Sequence, residues 1–348
     1  MDDLRDLLGI RHPVVLAPFG GLSSVALTAA VSEGGGLGSY GLYGYDGDRI
    51  RSTVAAVREA TSAPFAVNIW LPTGDEVVPG PEHDDRAAAL KDFYDEVGIE
   101  PPARPERYLP PVQEQLDAIW DAGPAVLSVV FGVPPVSVVD EAHRRGIRVL
   151  GTATTVDEAV ALADGGVDAI VATGAEAAGH RVSFLRPAED SLVGLVSLLP
   201  QVADAVDVPV IAAGGIADRR GVAAAFALGA SGVQVGTSFL ATAESAANAA
   251  HRTAIRSTAA DASVLTRAMS GRLARGARNR AVAEIEASAA IAPFPAQNWL
   301  TGRFRAVAGE RGMGELQSLW LGQSAPLARW DAAADVLAEL VAGVPEPR

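Results

Sequence analysis

A chain of 348 residues, 49% of them hydrophobic, can bury the core of one large domain with an insertion, or of two domains. With 28 basic and 42 acidic residues the net charge is −14, so a phosphate backbone is repelled and nucleic acid is excluded as an expected partner. The lack of cysteine rules out disulfides, thiolate metal ligands and a cysteine nucleophile, and the five histidines show no paired spacing, so no metal is expected.

The opening Met1-Asp-Asp-Leu-Arg-Asp6 has no cationic start followed by an apolar run, and no window holds 18 unbroken apolar residues. A soluble cytoplasmic protein without a membrane partner is expected. The oligomeric state is open.

Short apolar runs bounded by Pro or Gly recur along the chain: Pro13–Ala17, Leu37–Ser39, Phe65–Asn68, Ala125–Val130, Ile147–Leu150, Ala169–Ala172, Val208–Ala212 and Gly232–Val235. Between them lie helical patterns at Ser24–Glu33, Asp48–Thr61, Pro135–Arg145, Thr155–Asp164, Val193–Ala205 and Arg219–Leu228, several opened by Ser, Thr, Asp or Pro. Strand and helix in alternation predict an α/β fold, and eight such units predict a (β/α)8 TIM barrel over residues 1–240. The proline-rich, charged stretch Pro72–Pro111 interrupts the rhythm after the third strand and reads either as a lid or as a solvated loop. Beyond Thr237 the rhythm stops. Ala241–Ala290 reads as mainly helical, with a basic segment Arg272–Arg280, which predicts a smaller helical substrate or lid domain at 241–312, inserted after strand 8. A carboxy-terminal segment, 313–348, returns to the barrel and carries a last helical pattern at Asp331–Val341.

Candidate chemistry collects at the carboxyl ends of the predicted strands. Ala213-Gly-Gly-Ile216 and Gln234-Val-Gly-Thr237 follow strands 7 and 8, where glycine lets backbone N–H groups approach phosphate oxygens. Asn68 is a polar residue ending an apolar run, and Gln234 alternates with Val233 and Val235, so both face the barrel interior or its mouth. His180 follows the small-residue loop Gly174–Gly179 after strand 6, and its imidazole suits proton acceptance or hydrogen bonding at neutral pH. Glu176 reads as a surface carboxylate sooner than a second acid-base group. Trp70, Trp299 and Trp320 are pocket candidates, with core packing expected for at least two of them.

Taken in order, Pro13–Gly21, Gly34–Gly38, Val67-Asn68, Gly174–Arg181, Ala212–Asp218, Gln234–Thr237, Thr266–Arg272, Arg278–Arg280, Gln297-Asn298 and Ser318–Gln323 resemble the nitronate monooxygenase family, FMN enzymes on a (β/α)8 barrel. The resemblance spans nearly the whole chain. It implies FMN as cofactor, with Ala17, Pro18, Asn68, Thr173, Ala178, Gly179, Gly214, Gly215, Gln234, Gly236 and Thr237 around it and His180 as the catalytic residue. His180 would orient or charge-stabilise the nitronate oxygens and, where neutral nitroalkanes are accepted, remove the α-proton. The reaction implied is oxidation of an alkyl nitronate by O2 to a carbonyl compound and nitrite. Two other readings stay open: an NAD(P)H-dependent FMN reductase acting on quinones or enoyl thioesters, and a flavin-binding protein with little catalysis of its own. Three departures stand out: Thr173 where the family commonly has Gln, Ala178 where it has Gly, and Phe19 in place of the more usual Met.

Overall fold

The computed structural model describes residues 3–288 and 291–346. Met1, Asp2, the last two residues of the stretch expected to be helical to Ala290, and the last two of the 313–348 segment lie outside the described residues. Eleven strands occur among them: β1 (Val14–Leu16), β2 (Gly38–Gly41), β3 (Phe65–Trp70), β4 (Val126–Val130), β5 (Arg148–Ala153), β6 (Ala169–Thr173), β7 (Gly179–His180), β8 (Val210–Ala213), β9 (Gly232–Val235), β10 (Ser263–Thr266) and β11 (Ala274–Ala277).

Eight of these pair in parallel in the order β1-β9-β8-β6-β5-β4-β3-β2, and a parallel bridge between Val15 and Leu37 joins the two ends of the sheet. The result is the (β/α)8 barrel expected from the alternation of strand and helix. Its side chains follow the period of two that a barrel wall imposes. Val14, Leu16, Val67, Leu127, Val129, Val149, Ile170 and Val210 face the helices outside. Val15, Ala66, Val126, Leu150, Val171 and Ile211 form a separate interior cluster with Leu4 and Leu8 of the short helix Leu4–Leu8.

The rhythm that lapses at Thr237 resumes far downstream. Helix Ala333–Val341 packs Val336, Leu337 and Leu340 into the barrel core, between the helices Val25–Glu33 and Arg219–Ala227. It is the eighth barrel helix, so the insertion separates strand 8 from its own helix.

Residues 241–288 are less helical than expected. Helices Ala249–Ser257 and Arg280–Ser288 flank an antiparallel pair, β10–β11, and β11 also pairs with β7. Tertiary pairing overrides local preference here, as it commonly does in strands. The basic segment is not a patch: Arg272 binds Asp75 and Glu76, Arg275 binds the Ala175 carbonyl and Ser263, and Arg280 binds Glu96 and Glu284.

The Pro72–Pro111 stretch is not merely a solvated loop. Its helices His83–Ala88 and Lys91–Glu96 place Ala87, Leu90, Phe93 and Tyr94 in a second core with Met269, Ile285, Leu300, Phe304 and Leu316. No helix among the described residues is long and apolar enough to cross a membrane.

Candidate active site

A cavity of about 770 Å3 opens at the carboxyl ends of the barrel strands, a size usual for cofactor and substrate sites. All twelve residues singled out from the sequence line it: Ala17, Pro18, Asn68, Thr173, Ala178, Gly179, His180, Gly214, Gly215, Gln234, Gly236 and Thr237. No residue of 72–111 does.

The polar floor follows from the barrel's alternation. Asn68, Ser128, Thr152, Thr173 and Gln234 occupy the same inward rows as the apolar interior cluster, one step nearer the strand ends, and all five line the cavity. Asn68, 3% exposed, donates its Nδ2 to the Ser128 carbonyl at 3.2 Å and to Ser128 Oγ at 3.1 Å, which leaves its own oxygen as acceptor. The side chains of Thr152, Thr173 and Gln234 have no protein partner among the described residues, although interior polar groups are normally paired. Ser128 and Thr152 were missed by sequence reasoning. Both carry the signal that marked Asn68, a polar residue in an apolar strand.

The two glycine turns after β8 and β9 also line the cavity and bring backbone donors to it. Gly214 and Gly215 have φ of +102° and +72°, a region favouring glycine, and an added Cβ at Gly214 would stand 3.2 Å from Ala177 N and Gly174 O. The backbone N–H groups of Gly214, Gly215, Gly236 and Thr237 have no acceptor among the described residues. Convergent free N–H groups of this kind suit a phosphate, so the residues present fit FMN at both its phosphate and its ring.

Arg181 aims the loop that carries His180. It is 2% exposed and donates to the carbonyls of Gly174 at 2.6 Å, Thr173 at 3.2 Å and Ser191 at 3.4 Å, and burial pulls its pKa down to about 10. Pairing of His180 with Ala274 and Gly179 with Arg275 fixes the loop from the other side. Glu176 is no surface group: both carboxylate oxygens accept from Leu195 N, at 2.9 and 3.0 Å, at the start of helix Leu195–Ala205, where the helix dipole favours an anion.

The His180 ring lies between Trp70 and Trp320, with centroids 4.8 and 5.6 Å away. These two tryptophans line the cavity, contrary to the expected balance, and only Trp299 packs elsewhere, against His83 and Tyr108. Nε2 of His180 is 2.8 Å from Ser270 Oγ, and Ser270 is itself 3.0 Å from the Arg272 carbonyl. A carbonyl only accepts, so the Ser270 hydroxyl donates to Arg272 and its oxygen accepts from Nε2–H. Nδ1 is therefore the basic nitrogen, with no protein partner among the described residues. Burial, helped by the positive charges of Arg272 and Arg305, pushes the pKa of His180 down to about 3. The imidazole is neutral, and a neutral ring presenting a lone pair accepts a proton but does not stabilise an anion.

Residues 2–343 match the family model for nitronate monooxygenase. A protein of Staphylococcus aureus strain N315 named a probable nitronate monooxygenase is 37% identical over 345 residues, covering 97% of this chain and 96% of its own. Among solved structures, nitroalkane oxidase from Streptomyces ansochromogenes superposes with a TM-score of 0.86 at 35% identity, over 99% of this chain and 98% of its own. FabK from Thermotoga maritima gives a TM-score of 0.75 at 29% identity, over 97% and 94%. With twelve expected site residues around one cavity and relatives matching from end to end, the chain is an oxidoreductase that belongs to the nitronate monooxygenase family.

Proposed function

We propose that this enzyme oxidises alkyl nitronates with O2, using FMN, to a carbonyl compound and nitrite. The observation that carries this reading is His180, its ring beside Trp70 and Trp320 and its Nδ1 without a protein partner among the described residues, in a cavity that the donor-bearing glycine turns also line. FMN held there would supply the redox chemistry that links oxidation of the nitronate to reduction of O2. The N–H groups of Gly214, Gly215, Gly236 and Thr237 would hold the phosphate. The oxygen of Asn68 and the side chains of Thr173 and Gln234 would meet the polar edge of the ring.

His180 works from the substrate side. Nδ1 accepts the α-proton of a neutral nitroalkane, but a conjugate acid of pKa about 3 makes it a weak base. Nitronates that arrive already ionised bypass that step, so they are the preferred substrates, while Trp70 and Trp320 keep bulk water off the reacting atoms.

The test is an absorption spectrum of the purified protein, followed by anaerobic addition of propyl-2-nitronate and, separately, NADH. Flavin bands that bleach with nitronate and not with NADH are expected. The reverse result would install the NAD(P)H-dependent reductase reading, and a flavin inert to both would leave a flavin-binding protein.

A further inference from the structure

A neutral His180 presenting a lone pair leaves the cavity in need of a group that attracts negative charge. Two arginines bear on that ring electrostatically, and they differ. Arg272 is neutralised: its Nη2 binds Asp75 at 2.6 Å and Glu76 at 2.8 Å, and its guanidinium lies over the rings of Phe294 and Phe131 at 3.9 and 4.6 Å. Arg305 has no carboxylate within ion-pair distance among the described residues. Its partners are all neutral: Ser318 Oγ at 2.6 Å, the Asn298 carbonyl at 3.3 Å and Asn298 Oδ1 at 2.8 Å. A guanidinium carries five N–H bonds, and the contacts to Ser318 and Asn298 leave part of that donor set unmet among the described residues. An unpaired charge enclosed in protein is expensive and is characteristically retained where a ligand completes it.

The placement is specific. Arg305 lines the same cavity as His180, and the turns of helix Ala296–Glu310 beside it present Gly302, Ala306 and Gly309 to that space, leaving room in front of the guanidinium. Through Ser318 it is tied to the segment bearing Trp320. Through Asn298, whose Nδ2 donates to Tyr43 Oη at 3.0 Å, it is tied to Tyr43, whose ring is 4.3 Å from Trp70. Both tryptophans that flank His180 are thus linked to Arg305 by short chains of contact.

We propose that Arg305 is the anion-binding residue of this site, holding the oxyanion end of a small planar substrate while His180 faces its carbon. In the reading above, on which this assignment of the ligand rests, the anion is the nitronate. The guanidinium's planar fork matches a two-oxygen anion better than an ammonium does.

Acetate, an inert anion of the same two-oxygen geometry, separates this proposal from the reaction itself. Calorimetric titration of the FMN-loaded protein with acetate and with its neutral isostere acetamide should show acetate binding at least tenfold tighter. Equal affinities, or no acetate binding, would overturn the proposal without any variant having to fold. Arg305→Gln should weaken acetate at least tenfold and raise KM for propyl-2-nitronate far more than it lowers kcat, while Arg305→Lys recovers part of the affinity. Acetate binding unchanged in a folded, FMN-loaded Arg305→Gln protein would also overturn it. If acetate binds through Arg305 but no nitronate is turned over, the proposed reaction fails and the anion site stands.

Discussion

The hydroxyl of Ser270 decides which nitrogen of His180 is basic. Because it donates to the Arg272 carbonyl at 3.0 Å, it can only accept from Nε2, 2.8 Å away, and Nδ1 keeps the lone pair. Ser270→Ala removes that choice while leaving the ring between its tryptophans. Losing one hydrogen bond of about 1 kcal/mol should slow turnover of a neutral nitroalkane by roughly fivefold, with FMN occupancy unchanged. Nitrogen-15 spectra of the imidazole should show a mixture of tautomers in place of one. A single tautomer in the variant would refute the assignment.

The depressed pKa of His180 sets an acid limit. The folded protein keeps this ring neutral down to about pH 3, whereas the unfolded chain protonates it near 6.5, so the unfolded state binds more protons between those values. Stability from this group is complete above pH 6.5 and is lost as pH falls towards 3. His251, also driven down by burial, adds in the same direction. Urea midpoints measured from pH 7 to pH 4 should fall more gently in His180→Asn than in the parent. That variant should also keep bound FMN and lose most turnover of neutral nitroalkanes, the substrates that need a base. Parallel slopes would mean that the ring is not held neutral, and unchanged turnover would remove it from the chemistry.

Gly214→Ala tests the donor cluster. It places a methyl at φ +102° within 3.2 Å of two backbone atoms, so the turn must shift. Gly44→Ala is the control, because φ there is +74° but nothing lies within 4 Å of the added carbon. Both changes should cost on the order of 1 kcal/mol in backbone strain. Only Gly214→Ala should weaken FMN binding, by tenfold or more in a fluorescence titration, and equal FMN affinity in the two would argue against a phosphate at this turn.

Glu158 secures the chain just beyond His180. Fully buried, it accepts from Thr154 N and Oγ1, both at 2.7 Å, and from the backbone N–H groups of Phe184 at 2.7 Å and Leu185 at 3.3 Å. Glu158→Gln turns one acceptor into a donor facing donors, at a cost of about 3 kcal/mol. Equilibrium unfolding in urea should register that loss, and an unchanged midpoint would show that the segment is held by other contacts.

The barrel was legible because its signals are local. Strand runs such as Phe65–Asn68, the Gly214-Gly215 turn and the polar intruders Asn68 and Gln234 each carry their physics within a few residues. What stayed hidden depends on distant partners. The helical pattern at Asp331–Val341 and a return of its segment to the barrel were expected, but nothing nearby says that this helix completes a unit begun at Gly232. The pair β10–β11 forms because β7 supplies its third strand. Arg305 reads as a surface cation on a helix, and its neutral partners Ser318 and Asn298 are a property of the folded neighbourhood.

The second core has a consequence for how this molecule is assembled and altered. Tyr94 Oη donates to the Leu300 carbonyl at 2.6 Å, Phe93 stacks on Phe304 at 5.2 Å, Arg280 grips Glu96, and Arg311 reaches the Val97 carbonyl at 3.0 Å. The excursion after strand 3 and the insertion after strand 8 therefore behave as two halves of one clasp, closed between pieces of chain some two hundred residues apart. Neither half can be trimmed, grafted or exchanged with a relative's by itself, because each is the other's hydrophobic lining; a chimaera must move both.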